Sequence, residues 1–429
     1  MLKKLNLKDD LSLIEALIDR NQFEFTDVND DVLKILKTVK DKGDQALHDY
    51  SIQFDGVDVR DFKVTKDEID EAFASIDRQL LTDIKIALGN IQTYHHKQGF
   101  KNFELKQDHG VRLGQRVKPI ESVGIYVPGG TASYPSTVLM NAVPAKIAGV
   151  KNLVMVTPPL KDGSIKASIL VAASLAGVDA IYKIGGAHSI AALAFGTKTV
   201  PKVDKIVGPG NIYVSMAKKF ISGYVGIDMI AGPSEILILA DESADPDNVA
   251  ADLMGQAEHD VLASSILITT STALADRVIK SLSAQLPNME RQNIIQQALQ
   301  DYGGIILTET LEEAITLSNR IAPEHLEIIT SNPFDVLDKI ENAGSIFLGT
   351  YTPEPVGDYL AGPNHTLPTS GTARFASPLS TADFQKKSSY LYYTKAALQN
   401  FGPSIIRFAN EEGLTAHANA IKMRIDKEE

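Results

Sequence analysis

From residue 122 onward the chain repeats one pattern: a short β-rich run, a turn, then a stretch of helical periodicity. The β-rich runs are 122–127, 152–157, 180–184, 204–207, 235–240, 265–269, 304–308, 326–330 and 345–348. Helical patterns at 165–176 and 187–195 are closed by Gly177 and Gly196, as glycine closes helices elsewhere. Strand–helix alternation of this kind folds into parallel sheets covered by helices. The runs are too many for one sheet of ordinary size, so the pattern predicts two α/β units. The stretch Ala231 to Ser234 is where they are expected to meet.

The part before residue 122 reads as helical. Asp30 and Asp31 can cap a helix whose apolar stripe is Val32, Ile35, Leu36 and Val39. A second helix is expected over 69–96, with His48, His95 and His96 on solvated helix surface. The expected division is a helical segment 1–30, a discontinuous α/β domain of 31–117 with 235–375, a second α/β domain 118–234, and a helical tail 376–429. In this division the 235–375 unit recruits the N-terminal helices. Residues 350–372, rich in Gly, Pro, Thr and Asn, form a long irregular connection, and such loops are usually functional or disordered.

Composition narrows the chemistry. The 429 residues carry a formal net charge of -12, which argues against nucleic acid or an anionic membrane as the main partner. No cysteine is present. Disulfides, thiolate metal sites and a cysteine nucleophile are therefore excluded, and any metal must be held by nitrogen and oxygen. The N-terminus lacks the apolar block of a signal peptide, and no stretch is apolar enough to span a membrane, so a cytoplasmic location is expected.

Several segments could carry chemistry. Asp245-Pro246 is a strong helix start, and on the helix that follows Gln256 and His259 share a face. A buried Gln needs partners; a metal is one, local hydrogen bonding another. Glu324-His325 precedes an apolar strand and is suited to acid–base work or to an exposed turn. Asp358 and His365 lie in the irregular connection, where flexible glycines could let them converge on a ligand. His417 sits on a helical face with Leu414 and Ile421, where packing is the commoner role. No G-x-G-x-x-G fingerprint exists. Glycines recur instead at three successive strand ends, Gly129-Gly130, Gly185-Gly186 and Gly208-Pro209-Gly210. Such ends let backbone approach a phosphate, and together they make a nucleotide crevice plausible.

The blocks GIYVPGGTASYPSTVLMNAVPAKIAGV, GPGN, AGPSE, QAEHD, APEHL, GDYLAGPNHTLPT and LTAHANA, in this order between about Lys118 and Arg424, resemble histidinol dehydrogenases. The resemblance implies an α/β fold of two incomplete Rossmann-like units with helical termini. It implies a zinc- and NAD-dependent enzyme that oxidises L-histidinol through the aldehyde to L-histidine. In it, Gln256, His259, Asp358 and His417 match zinc ligands, and Ser234, His365 and Glu412 match further substrate contacts. Glu324 and His325 match the catalytic pair, His325 as the base and also a substrate contact, Glu324 as the group that activates water. Tyr126 and Asn211 match NAD contacts. His188 occupies a third such position, where the family usually has Gln. The resemblance also implies an intertwined homodimer in which Glu412 and His417 serve the neighbouring subunit. A metal-dependent hydrolase and a non-catalytic nucleotide-binding protein are the competing readings of the same residues.

Overall fold

The computed structural model describes residues 2–18, 26–129 and 134–426. The strands in chain order are β1 (Lys3–Asn6), β2 (Phe103–Lys106), β3 (Arg112–Pro119), β4 (Ser122–Tyr126), β5 (Asn152–Thr157), β6 (Ala180–Lys183), β7 (Lys205–Val207), β8 (Gly226–Ile227), β9 (Glu235–Ala240), β10 (Ser264–Thr269), β11 (Gly303–Leu307), β12 (His325–Ile329), β13 (Ser345–Leu348) and β14 (Gln385–Tyr392). All nine expected runs are strands, displaced by no more than a residue or two.

Two sheets are wholly parallel. The first has the order β6-β5-β4-β7-β8 and the second β1-β11-β10-β9-β12-β13. In each, the first strand of the unit is central and the chain winds outward to both sides, which is the doubly wound arrangement. Alternate residues explain why the strands are apolar throughout. Val123 and Ile125 face one layer of helices, whereas Val154 and Val156 belong to the layer on the other face. In the second sheet Ile236 and Ile238 face one core and Leu237 and Leu239 the other. A strand buried on both faces has no polar side to alternate with.

The N-terminal helices depart from expectation. Helix Thr26–Lys42 packs its stripe of Val32, Ile35, Leu36 and Val39 against Ile190, Val203 and Val214 of the first sheet's unit. Ile84, Ala87 and Ile91 of helix Arg78–His95 pack on the opposite face of that sheet, beside Leu139 and Val143. The 31–117 helices thus cover the first sheet, not the 235–375 unit. Among the described residues the second sheet takes its added edge strand from the start of the chain, β1 pairing parallel to β11. Asp30 and Asp31 lie inside helix Thr26–Lys42 and do not cap it. The helix expected over 69–96 is broken at Ile76–Asp77, because the Asp77 carboxylate accepts from the Leu80 backbone N–H at 2.8 Å and starts a new helix. Of the N-terminal segment, residues 19–25 fall outside the described residues, as do Gly130 and residues 131–133.

The tail also differs. Gln385–Tyr392 is a strand, antiparallel to β3, which in turn pairs with β2. Tyr390 lies over Gly114, where a Cβ would stand 2.3 Å from its ring, and its hydroxyl donates to Glu104 at 2.8 Å. Helices Lys395–Glu411 and Thr415–Ile425 complete an arm that leaves Leu391, Phe408 and Met423 more than half exposed. Among the described residues no helix is long and apolar enough to cross a membrane.

Candidate active site

Contacts between the two units are found around Ala231 and Gly232. Ser215 donates its hydroxyl to the Ala231 carbonyl at 3.1 Å, and the Gly232 N–H donates to Thr369 Oγ1 at 2.7 Å. The carboxyl ends of the first sheet and the amino ends of the second supply the groups at this junction. Tyr126 closes β4 at its carboxyl end, whereas His325 opens β12 beside Ile236 of β9. Reacting groups at strand starts depart from the usual rule for open parallel sheets. They are reachable because the second unit turns its amino ends toward the first.

His325 is 4% exposed, and its hydrogen bonds define its tautomer. Nδ1 lies 2.9 Å from the Glu235 carbonyl, which can only accept, so Nδ1 carries the proton and donates. Nε2 then keeps its lone pair. It has no hydrogen-bond partner among the described residues and stands 3.9 Å from Asp358 Oδ1 and 4.0 Å from Glu354 Oε1. Burial lowers the pKa of the imidazole, more than the nearby Asp358 charge raises it. The ring is therefore neutral at neutral pH, a base with its free nitrogen aimed at carboxylates. Glu324 adjoins it: Oε2 accepts from the Glu235 N–H at 2.8 Å and lies 3.6 Å from His325 Nδ1. The backbone of Glu235 thus holds both members of the pair.

Asp358 rides on a single π-helical turn, Gly357–Ala361, a form often found at functional sites. Its backbone carbonyl accepts from His365 Nδ1 at 3.1 Å, and its Oδ1 lies 3.9 Å from the same nitrogen. His365 Nε2 faces Thr137 Oγ1 at 3.4 Å, so the first unit touches this side chain directly. Gln256 sits on helix Pro246–Ala257, which Asp245 caps as expected. It is fully buried, and both atoms of its amide lack a hydrogen-bond partner among the described residues. His259 is exposed as a residue, yet desolvation of its ring outweighs the Asp358 charge and lowers its pKa. Ser234 is half-buried just before β9, its carbonyl accepting from the Ser264 N–H at 2.9 Å.

Glu412 and His417 are exposed on the C-terminal arm. Among the described residues no hydrogen bond or ion pair joins either to the His325 group.

Tyr126, His188 and Asn211 line one cavity of about 910 Å³, together with Tyr50, Phe54 and Asp55 from the N-terminal helices. Phe54 and Asp55 lie on the second π-helical turn, Ser51–Asp55. Asn211 caps helix Ile212–Ile221, its Oδ1 accepting from the Val214 N–H at 3.2 Å. Tyr126 accepts from the Gly186 N–H at 3.4 Å, and burial pushes its phenol up to about 12. His188 is buried with its ring 5.7 Å from that of Tyr50 and 6.0 Å from that of Phe54. Neither of its ring nitrogens has a partner among the described residues, and burial pushes its pKa down to about 3.

Over this geometry the comparisons are decisive. The histidinol dehydrogenase family profile matches residues 18–425. This chain belongs to the histidinol dehydrogenase family. The histidinol dehydrogenase of Clostridium acetobutylicum is 56% identical over 410 residues, covering 96% of this chain and 95% of that protein. The Geobacillus kaustophilus histidinol dehydrogenase is 52% identical over 398 residues, with 93% and 94% covered. The crystal structure of histidinol dehydrogenase from Elizabethkingia anophelis superposes with a TM-score of 0.94 at 40% identity, covering 99% of this chain and 98% of that one.

Family membership frames what sequence reasoning missed. Glu354 is buried within reach of His325 and Asp358, and these three residues are close enough together to hold a cation. Burial and the Asp358 charge raise the Glu354 pKa far above the carboxylate range. Glu327 accepts from the Glu354 N–H at 2.8 Å; burial raises its pKa well above the carboxylate range and pushes that of the neighbouring Asp252 up to about 6. Glu327 alternates with apolar residues and so reads as an ordinary strand position. His95, expected on solvated surface, is fully buried. His48 is half-buried against Asp58 at 2.7 Å, while His96 is exposed as expected.

Proposed function

We propose that the chain oxidises L-histidinol to L-histidine in two successive NAD-linked steps, with zinc as resident metal. The observation that carries this reading is the Nε2 of His325, buried, neutral and without a hydrogen-bond partner among the described residues, beside Glu324 and Asp358, where Thr137 of the first unit meets His365. In the first step His325 Nε2 takes the proton of the substrate hydroxyl. The aldehyde then adds water: Glu324 takes the proton that this water loses, and His325 returns its proton to the carbonyl oxygen, which completes the hydrate and leaves the imidazole neutral again. His325 takes the hydroxyl proton of the hydrate in the second oxidation. NAD, when bound, accepts the hydride in each oxidation. With no thiol in the chain, a water nucleophile is the available route to the acid.

The residues present fit zinc. Gln256 offers a buried amide without a partner, Asp358 and His259 offer nitrogen and oxygen donors, and cysteine is absent. Gln256, His259, Asp358 and a His417 from a second copy would hold the metal. Zinc there supplies a Lewis acid that orients the substrate, with no redox role of its own. Sharing between copies is supported by the exposed His417 and Glu412 and by the apolar arm around them, where Phe408 is 73% and Leu391 71% exposed. The enzyme is accordingly read as a homodimer acting in the cytoplasm.

The test is to mix zinc-loaded protein with L-histidinol and NAD, follow the absorbance of NADH and quantify histidine. Two NADH per histidine, lost on chelation and restored by zinc, is the expected result. A folded, metal-loaded dimer that produces no NADH would overturn the reading and move metal-dependent hydrolysis ahead of it.

A further inference from the structure

The connection that carries Asp358 and His365 belongs in sequence to the second unit, yet it is pinned by two helices of the first. From helix Arg78–His95, Asn90 Nδ2 donates to the Leu360 carbonyl at 2.8 Å. Gly362, at φ +114°, presses on the same turn, where a Cβ would stand 2.7 Å from the Asn90 carbonyl oxygen. From helix Pro135–Ala148, Thr137 meets His365. Between these contacts sits Asn364, 3% exposed.

Every polar atom of the Asn364 side chain is engaged. Oδ1 accepts from the Thr366 N–H at 2.9 Å, which identifies the other terminal atom as the amide nitrogen. Nδ2 donates to the Met140 carbonyl at 2.6 Å and faces His95 Nε2 at 3.2 Å. His95 lies at the end of its helix, fully buried, with Nδ1 2.9 Å from the Ile91 carbonyl. That carbonyl requires Nδ1 to carry the proton. Burial outweighs the carbonyls of Ile91 and Leu379 and lowers the pKa, so the ring is neutral and Nε2 is an acceptor. Among the described residues His95 Nε2 is the acceptor that the second amide hydrogen of Asn364 meets. The His95 carbonyl also accepts from Thr381 Oγ1 at 2.8 Å, tying down the far end of the same stretch.

We propose that His95 is a positioning residue. Through Asn364 it fixes the loop 357–366, and with it the placement of Asp358 and His365 against the first unit. His95 touches neither substrate nor cofactor; its effect is on where the substrate-side groups stand. This deepens the reading above, because it assigns His95 to the substrate side and not to the dinucleotide cavity.

The experiment compares His95→Leu, which keeps bulk and removes the acceptor, with His95→Gln, which can still accept from Asn364 and donate to Ile91. Two readouts are taken. In the zinc-loaded enzyme, His95→Leu is expected to raise KM for L-histidinol by about tenfold while KM for NAD stays within about twofold, and His95→Gln restores the histidinol KM. By hydrogen exchange, peptides spanning 357–366 are expected to exchange about tenfold faster in His95→Leu, with peptides of β4 and β5 unchanged. If His95→Leu does not fold, Asn364→Ala removes the same bond from the loop side and is expected to give the same pattern. Equal impairment of Leu and Gln, a parallel rise in KM for NAD, or an unchanged loop in both His95→Leu and Asn364→Ala would overturn the proposal. A wild-type enzyme that fails to oxidise histidinol would sink the enzymatic reading instead, and the exchange comparison would still decide whether His95 clamps the loop.

Discussion

At the scale of single residues, the site is a matter of which atoms are left over. His325 has one nitrogen committed to the Glu235 carbonyl and one without a hydrogen-bond partner among the described residues, which makes it a directed base. Glu324 hangs from the Glu235 N–H one bond away. If Glu324 activates the water of the second oxidation, Glu324→Gln should slow oxidation of supplied histidinaldehyde by about 10²-fold or more, while the first hydride transfer slows far less. A single-turnover trace showing equal losses in both steps would count against that division of labour. His188 makes a different prediction. Its folded pKa lies near 3 and its unfolded pKa near 6.5, so the unfolded chain binds the extra proton first. The stability that the neutral ring permits is fully present above about pH 6.5 and is lost as pH falls toward 3. At pH 5 the loss amounts to roughly 2 kcal/mol, and His188→Gln should lack it. Urea titrations of the two proteins at pH 7.5 and pH 5, without cofactor, measure the difference directly.

At the scale of elements, turns do the positioning. The two π-helical turns among the described residues carry residues of interest, Phe54 and Asp55 at the cavity and Asp358 beside His325. An extra residue in one helical turn re-aims a side chain without ending the helix. The turn after β7 is held by a buried ion pair. Lys218 Nζ donates to the Gly208 carbonyl at 2.9 Å and pairs with Asp228, whose other oxygen accepts from the Gly208 N–H at 2.8 Å. Gly208 itself, at φ +114°, packs so closely that a Cβ would stand 2.1 Å from the Tyr126 carbonyl oxygen. Gly208→Ala should therefore displace both the Asn211 turn and β4. We expect a stability loss of about 3 kcal/mol and NADH binding too weak to follow by fluorescence. Normal NADH binding by this variant would show that the turn does not shape the cavity.

At the scale of the whole molecule, two doubly wound sheets meet carboxyl end to amino end, and an apolar arm extends from them. If His417 serves the site of the other copy, inactive chains should complement. His325→Ala and His417→Ala homodimers are each expected to be inactive. Dissociated, mixed and reassembled, they should recover about a quarter of wild-type activity, because half the dimers are hybrids and each hybrid holds one complete site. Recovery of nothing from hybrids verified by mass would place His417 in its own chain's site.

The periodic part of the fold was legible from the residues. Strands 152–157, 235–240 and 345–348 match their expected bounds because apolar runs flanked by turn formers, Pro158, Gly232-Pro233 and Gly349, depend on local chemistry. The family was legible too, because its blocks are long and occur in a fixed order. Which sheet the N-terminal helices cover was not legible. An apolar stripe such as Val32, Leu36 and Val39 states that a partner exists, not which one. β14 was missed because Gln385–Tyr392 is exposed on much of its length, and its pairing with β3 is a long-range event. The chemistry divides in the same way. Residue types and order along the chain pointed to Glu324, His325 and Asp358. Tertiary structure alone decided that the His325 proton sits on Nδ1, that Glu354 stands beside it, and that His95 is buried under the loop that carries Asp358 and His365. Those facts depend on distances between groups tens to hundreds of residues apart, and local patterning carries no record of such distances.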